Sequence, residues 1–170
     1  ILVAGHSLGE YSALVAAGSL SFVDAVRLVR RRGELMAAER DGTMAAIIGM
    51  DLEPLEALCQ GIDQQLGPCV VANQNAPGQL VISGTIEAVN AVGAAAKAAG
   101  AKRVMPLNVS AAFHSPLLAA TAEALAKDIA ATAIAPAQIP VVANTSAAPL
   151  TDPVAITHQP TQTWTSPVRS

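Results

Sequence analysis

The chain has 170 residues, enough for one domain with a real core or for a core carrying a small inserted subdomain, and too few for much more. Its 52% hydrophobic content rests on Ala and Val with only 2% aromatic residues, which favours helices packed closely on strands, an α/β fold, over an aromatic-rich β-sandwich. A net charge of −3 gives no electrostatic footprint for nucleic acid or an anionic membrane, and no apolar run is long enough to span a bilayer. Cys59 and Cys69 lack metal-ligand spacing and a nearby His, so neither a zinc site nor a disulfide scaffold is expected, and a reducing, cytoplasmic setting fits.

In chain order, the apolar run from Ile1 to Val3 reads as a strand. A strand at a raw terminus without Met would leave an edge unpaired, and the chain stops at Ser-Pro-Val-Arg-Ser just after a turn signal, so an internal piece of a larger protein is expected. Leu8, Tyr11, Leu14 and Val15 then repeat at helical spacing, with Gly18 as a stop. Ser21 and Asp24 form a capping box for a second helix reaching about Arg40, before Asp41-Gly42.

Six short elements follow: a strand at Met44 to Gly49, a helix from Glu53 to Ile62 and a strand at Cys69 to Gln74. After the turn Asn75 to Gly78 come a strand at Gln79 to Ser83, an Ala-rich helix from Ile86 to Ala99 and a strand at Arg103 to Val109. This βαββαβ order is that of a ferredoxin-like split unit and predicts an inserted subdomain over 42–112, with 1–41 and 113–170 forming the rest of the core. Ser115-Pro116 opens another helix to about Ala131, Ile139 to Asn144 reads as a buried strand, and the remaining Pro/Thr-rich stretch reads mostly as loop.

Gly5-His6-Ser7-Leu8-Gly9 matches a nucleophile elbow, in which flanking glycines let the backbone turn sharply from strand to helix and expose the serine hydroxyl. The amide of Leu8 at the helix start favours negative charge beside Ser7 and supplies half of an oxyanion hole. The competing reading makes Ser7 a mere helix cap, with Glu10 completing a capping box. Of three histidines, His158 falls in the Pro/Thr-rich end as a surface loop residue, and His6 is turned away from the hydroxyl to line the acyl pocket. His114, at the mouth of a helix, is the best base for Ser7.

At about 100° per residue, Arg32 falls among Ala25, Leu28, Val29, Leu35 and Met36, opposite Arg27, Arg30 and Glu34. A buried guanidinium needs a carboxylate, supplied either by a distant Asp or Glu or by a substrate; a rotated or frayed helix would also remove the problem. Geometry alone leaves these open.

These stretches resemble the malonyl-CoA:acyl carrier protein transacylases of fatty acid synthesis and the acyltransferase domains of polyketide synthases. The resemblance runs in order through GHSLGEYSAL at 5 to 14, DAVRLVRRRGELM at 24 to 36, GTMAAIIG at 42 to 49 and NAPGQLVISG at 75 to 84. It continues through AAAKAAGAKRVMPLNVSAAFHSPLL at 94 to 118 and PVVAN at 140 to 144. It implies an α/β-hydrolase-like parallel-sheet core, here partial, carrying a ferredoxin-like subdomain. It also implies Ser7 as acylated nucleophile, His114 as general base and acid, and Arg32 as the clamp on the free malonyl carboxylate. Malonyl-CoA would be the substrate and acyl carrier protein, with its phosphopantetheine thiol, the partner, in a ping-pong reaction without a permanently bound cofactor or metal.

The segment Ala111-Ala112-Phe113-His114 resembles the malonyl-type specificity motif, with Phe113 excluding an α-branched acyl chain. Two family features are missing from the sequence: a Gly-Gln-Gly-type motif before the elbow, supplying the second oxyanion amide, and a later glycine-bearing turn with a residue that orients the histidine. Two other readings remain. A serine esterase expects an acid between Ser and His, for which Asp51, Asp63 and Glu87 are the candidates, all within or beside helices of the insertion. A non-catalytic scaffold that docks carrier protein is the other.

Overall fold

The structure, a computed structural model, describes residues 1–169. It is mixed α/β, with one sheet of three short strands and one of five. β1 (Val3–Ala4) is followed by α1 (Gly9–Ala16) and α2 (Phe22–Ala38). The N-terminus of α2 is set as the sequence indicates: Ser21 Oγ accepts from the Asp24 N–H at 3.1 Å and donates to the Asp24 carboxylate at 2.6 Å.

β2 (Thr43–Ile48), α3 (Leu52–Leu66), β3 (Cys69–Ala76), β4 (Gln79–Gly84), α4 (Ile86–Ala98) and β5 (Arg103–Pro106) follow in the expected order. Their strands lie side by side as β5-β2-β4-β3, every neighbouring pair antiparallel. The alternation of β-strand side chains sorts this sheet into two faces. Ala45, Ile47, Val71, Leu80 and Ile82 pack with Leu55, Val89 and Val92 of the two helices, while Met44, Ala72 and Val81 turn to the other face beside Leu107 and Phe113. The chain enters and leaves this unit at one place, where the Ala112 N–H donates to the Asp41 carbonyl at 3.0 Å. Gly42 is required there: a Cβ would stand 2.4 Å from the Gly84 oxygen and 2.6 Å from the Ala112 Cβ.

β5 ends earlier than the hydrophobic run suggests, because Pro106 has no N–H to donate and the chain turns off after Leu107 bonds to Met44. Ser115 caps a 3-10 turn, Pro116–Leu118, that leads into α5 (Ala119–Ala130).

The last forty residues differ most from expectation. β6 is only Val141–Val142, parallel to β1, and is joined by an antiparallel β7 (Pro149–Leu150), so the small sheet is mixed. The stretch expected to be mostly loop contains α6 (Pro153–Gln162) and β8 (Val168–Arg169). Asp152 caps α6 by accepting from the Ala155 N–H at 2.8 Å, with Pro153 at the first helical position; Pro160, inside the helix, disguised it. β8 pairs in parallel with β3, so the end of the chain ties the five-stranded sheet to the remainder. Around the small sheet, Leu14, Leu28, Leu118, Leu125, Ile129, Ile156 and Trp164 form a separate core.

Candidate active site

Ser7 occupies the turn between β1 and α1 in the left-handed backbone region, at φ 51°, which few non-glycine residues adopt. The turn is closed by the Gly9 N–H to the His6 oxygen at 2.9 Å and the Glu10 N–H to the Ser7 oxygen at 3.1 Å. A Cβ on Gly5 would stand 1.9 Å from the Gly9 oxygen, so the strand and the helix cross too closely for any side chain there. Gly9 has open space at the same position, which corrects the expectation that both glycines are needed for close passage. Asn144 straddles the turn: its Oδ1 accepts from the Ser7 N–H at 2.7 Å and its Nδ2 donates to the Gly5 oxygen at 2.8 Å.

The capping alternative is overturned. Leu8 is the N-cap of α1 and no side chain caps it, while Glu10 points inward and is 2% exposed. The Ser7 hydroxyl instead lies 3.1 Å from His114 Nε2 and accepts from Arg32 Nη2 at 2.7 Å. His114 also has positive φ, at 58°. Its Nδ1 meets the Thr163 main-chain oxygen. A carbonyl only accepts, so Nδ1 carries the ring proton and the Nε2 lone pair faces the serine. Burial pushes His114 down to about 4, assisted by the charges of Arg32 and His6 and opposed by the Thr163 bond, so the ring is neutral at pH 7 and its Nε2 lone pair is free to accept a proton. The resemblance put the histidine-orienting residue outside the chain; the Thr163 carbonyl holds that ring nitrogen from within it.

Arg32 is buried on α2, its guanidinium 5.7 Å above the Trp164 ring. Arg27, Arg30 and Arg31 pair on the surface with Asp24, Glu34 and Asp128. No described carboxylate lies within ion-pair distance of Arg32, although Glu10 is near enough to act on its charge, and α2 is not frayed there. Desolvation lowers its pKa, against the opposing influence of Tyr11 and Glu10. A desolvated guanidinium with only a hydroxyl to bond is suited to receive a carboxylate.

The other sequence candidates separate. Phe113 is half-buried and packs against both the small-sheet core and the outer face of the large sheet, beside His114. Leu8 is exposed, as is His6, which borders an open cavity with Asn144 and Arg169. His158 is exposed on α6, not in a loop. Asp51, Asp63 and Glu87 are exposed on the insertion, and the histidine nitrogen that an esterase acid would hold is taken by Thr163. Sequence reading missed Asn144, Thr163 and Trp164 and read Glu10 only as a cap; a carboxylate in the first turn of an otherwise apolar helix was the available signal for Glu10.

The model of the acyl transferase domain family matches residues 2–170. The chain belongs to that family. As an acyl transferase domain it is 47% identical over 169 residues to the malonyl CoA-acyl carrier protein transacylase of Bacillus subtilis (strain 168), covering 98% of this chain and 53% of the relative. It is 48% identical over 148 residues to the protein of that name from Escherichia coli (strain K12), covering 84% of this chain and 47% of that one. Among solved structures, an acyl carrier protein S-malonyltransferase from Vibrio cholerae superposes with a TM-score of 0.95 at 43% identity, covering 99% of this chain and 56% of the other. A malonyl-transacylase in complex with its type II PKS acyl-carrier protein gives 0.93 at 43% identity, with coverage of 99% and 55%. The acyl transferase domain thus spans about half the length of the relatives it matches.

Proposed function

We propose that the protein carrying this chain is a cytoplasmic S-malonyltransferase that moves malonyl from CoA to the phosphopantetheine thiol of acyl carrier protein through a Ser7 acyl-enzyme. The observation that carries the reading is the convergence on one hydroxyl of a neutral His114 and a buried Arg32 that has no ion-pair partner among the described residues. In this reading the core is α/β-hydrolase-like, formed from 1–41 and 113–170, and 42–112 is a ferredoxin-like insertion. The strand order β5-β2-β4-β3 and the single Asp41–Ala112 crossing support that division.

The chemistry follows from the hydrogen bonds. The Ser7 O–H donates to His114 Nε2 as its oxygen attacks the thioester carbonyl, and the proton passes to the ring. The Leu8 N–H sits at the start of α1, where the helix dipole favours the developing oxyanion. Collapse of the intermediate expels the CoA thiolate, which takes the proton from His114; the phosphopantetheine thiol then repeats the sequence in reverse. Arg32 leaves the serine to bind the malonyl carboxylate, and neutralising its charge removes one of the influences that depress His114, so the correct substrate strengthens its own base. Phe113 restricts the space beside the acyl chain, favouring malonyl over methylmalonyl; a higher kcat/KM for methylmalonyl-CoA would overturn that assignment.

Intact-mass measurement after brief exposure to malonyl-CoA tests the reading, on a chain extended to the length of its relatives. Wild type gains a malonyl adduct and Ser7→Ala does not. Arg32→Ala loses roughly 2–5 kcal/mol of transition-state stabilisation for malonyl-CoA while sparing acetyl-CoA, which has no carboxylate to lose. A folded, extended wild type that binds carrier protein but never acquires the adduct would leave a docking scaffold as the better account.

A further inference from the structure

Behind the serine and histidine lies a third buried group that the mechanism above does not use. Glu10 sits one turn along α1 from Ser7 and is 2% exposed. Its Oε2 lies 3.3 Å from Thr163 Oγ1, and that hydroxyl lies 2.8 Å from the Gln159 carbonyl oxygen. The threonine has one hydroxyl proton. The Gln159 carbonyl, at the shorter distance, has none of its own and takes it. A hydrogen bond on the Glu10–Thr163 line then requires the proton to come from the carboxyl group.

The same threonine offers its main-chain oxygen to His114 Nδ1, and Asn144, which braces the Ser7 turn, is the residue whose amide and side chain approach Glu10. Glu10 therefore touches both supports of the site: the one that holds the serine backbone and the one that fixes the histidine tautomer.

We propose that Glu10 is a positioning residue which, as a neutral carboxylic acid, donates to Thr163 Oγ1 and so fixes the carbonyl that holds His114; the catalytic consequence rests on the transacylase reading. The surroundings agree. Leu14, Val141, Ala143, Leu150 and Ile156 enclose the carboxyl side with Gln159, leaving a cavity of only about 10 Å³. The titratable groups facing it are Arg32 from α2 and Tyr11 from α1; the segments around β6 and α6 face it with the uncharged Asn144, Gln159 and Thr163. Desolvation outweighs Arg32 and the Asn144 hydrogen bonds, holding Glu10 up at about 7.

The test uses the full-length protein, comparing wild type, Glu10→Gln, Glu10→Ala and Thr163→Val. Two readouts are taken: the His114 tautomer by imidazole ¹⁵N NMR, and the pH profile of the Ser7 acylation rate with malonyl-CoA. A glutamine amide donates as the acid does, so Glu10→Gln keeps the Nδ1–H tautomer and near-wild-type acylation while losing the inflection near pH 7. Glu10→Ala and Thr163→Val populate the Nε2–H tautomer and lose up to about 100-fold in acylation. Should Glu10→Ala fail to fold, Thr163→Val, which keeps the carbonyl and removes only the hydroxyl, decides.

Glutamine behaving as badly as alanine, or a Thr163→Val chain with an unchanged tautomer and rate, overturns the proposal. The tautomer needs no substrate. A wild type that is never acylated, with the tautomer responding as described, sinks the transacylase reading and leaves the Glu10 role standing.

Discussion

Ile47, Leu55 and Ile82 fill the core of the five-stranded sheet unit, whereas comparably buried positions around Ser7 are occupied by Glu10, Arg32, His114, Asn144 and Thr163. In the first region burial is favourable side chain by side chain, at about 25 cal/mol per Å² of apolar surface. In the second, burial drives every resolved ionisable group toward its uncharged form: Glu10 up, Arg32 down and His114 down, with desolvation the largest cause each time. Stability is thus concentrated where the backbone is regular. Desolvated polar groups and strained backbone, at Ser7 and His114, are concentrated in the other region.

The sharpest way to break this comparison is to injure one region and read the other. Ser7→Ala removes the proposed nucleophile and is expected to abolish acylation, a loss of about 10⁴-fold or more, while changing unfolding free energy by less than about 1 kcal/mol. Leu55→Ala, at a wholly buried position on α3, is expected to cost about 2–5 kcal/mol of stability with the acylation rate per folded molecule unchanged. Denaturant titration and intact-mass kinetics on both variants check the pair. A Leu55→Ala protein that stays folded but loses acylation would mean that the two regions are not separable.

The pH dependence of stability sharpens the same contrast inside the polar cluster. Glu10 is raised from 4.5 to about 7, so the stability it contributes is present below about 4.5 and is lost as pH rises through 7. His114 is lowered from 6.5 to about 4, so its contribution is present above 6.5 and is lost as pH falls through 4. Between about 4.5 and 6.5 the two slopes oppose each other and nearly cancel in the wild type. Glu10→Gln unmasks the histidine: the variant's own stability rises with pH from about 4 to 6.5, by up to roughly 3 kcal/mol. His114→Gln does the reverse, with stability falling by a similar amount from about 4.5 to 7. Urea unfolding across pH 4–8 measures both, and parallel curves for the two variants would show that the cluster does not titrate as described.

What the sequence made legible follows the same division. The strands and helices between Thr43 and Pro106 announce themselves by period and turn residues because each packs its own regular face, and the strand order then follows from short connections. Ser7, Arg32 and His114 became candidates because an elbow motif, a helical wheel joined to the family resemblance, and a shortage of histidines each narrow the choice. Thr163 was hidden because it contributes a main-chain carbonyl, which no residue identity encodes, and Asn144 because its contacts span 137 and 139 positions. The two-residue strands β6, β7 and β8 are too short to carry a period, and each exists because a neighbour pairs with it.

The smallest expected effect is that of Gly9→Ala, within the elbow itself. Gly5 and Gly9 are equivalent in the five-residue motif, yet their surroundings differ: a Cβ on Gly5 meets backbone at 1.9 Å, and one on Gly9 meets nothing within 4 Å. Backbone cannot step aside as a flexible side chain does, so Gly5→Ala must push β1 from α1, carrying Ser7 away from His114 and costing about 1–3 kcal/mol or more. Gly9→Ala lies in the first turn of α1, where alanine is the better helix former, and should change stability by less than about 1 kcal/mol in either direction. The acyl-enzyme should form at an undiminished rate in Gly9→Ala and fail in Gly5→Ala. Equal damage from both would mean that the motif's second glycine serves a closed state of the site, one in which something approaches the start of α1 as closely as Gly9 now approaches Gly5.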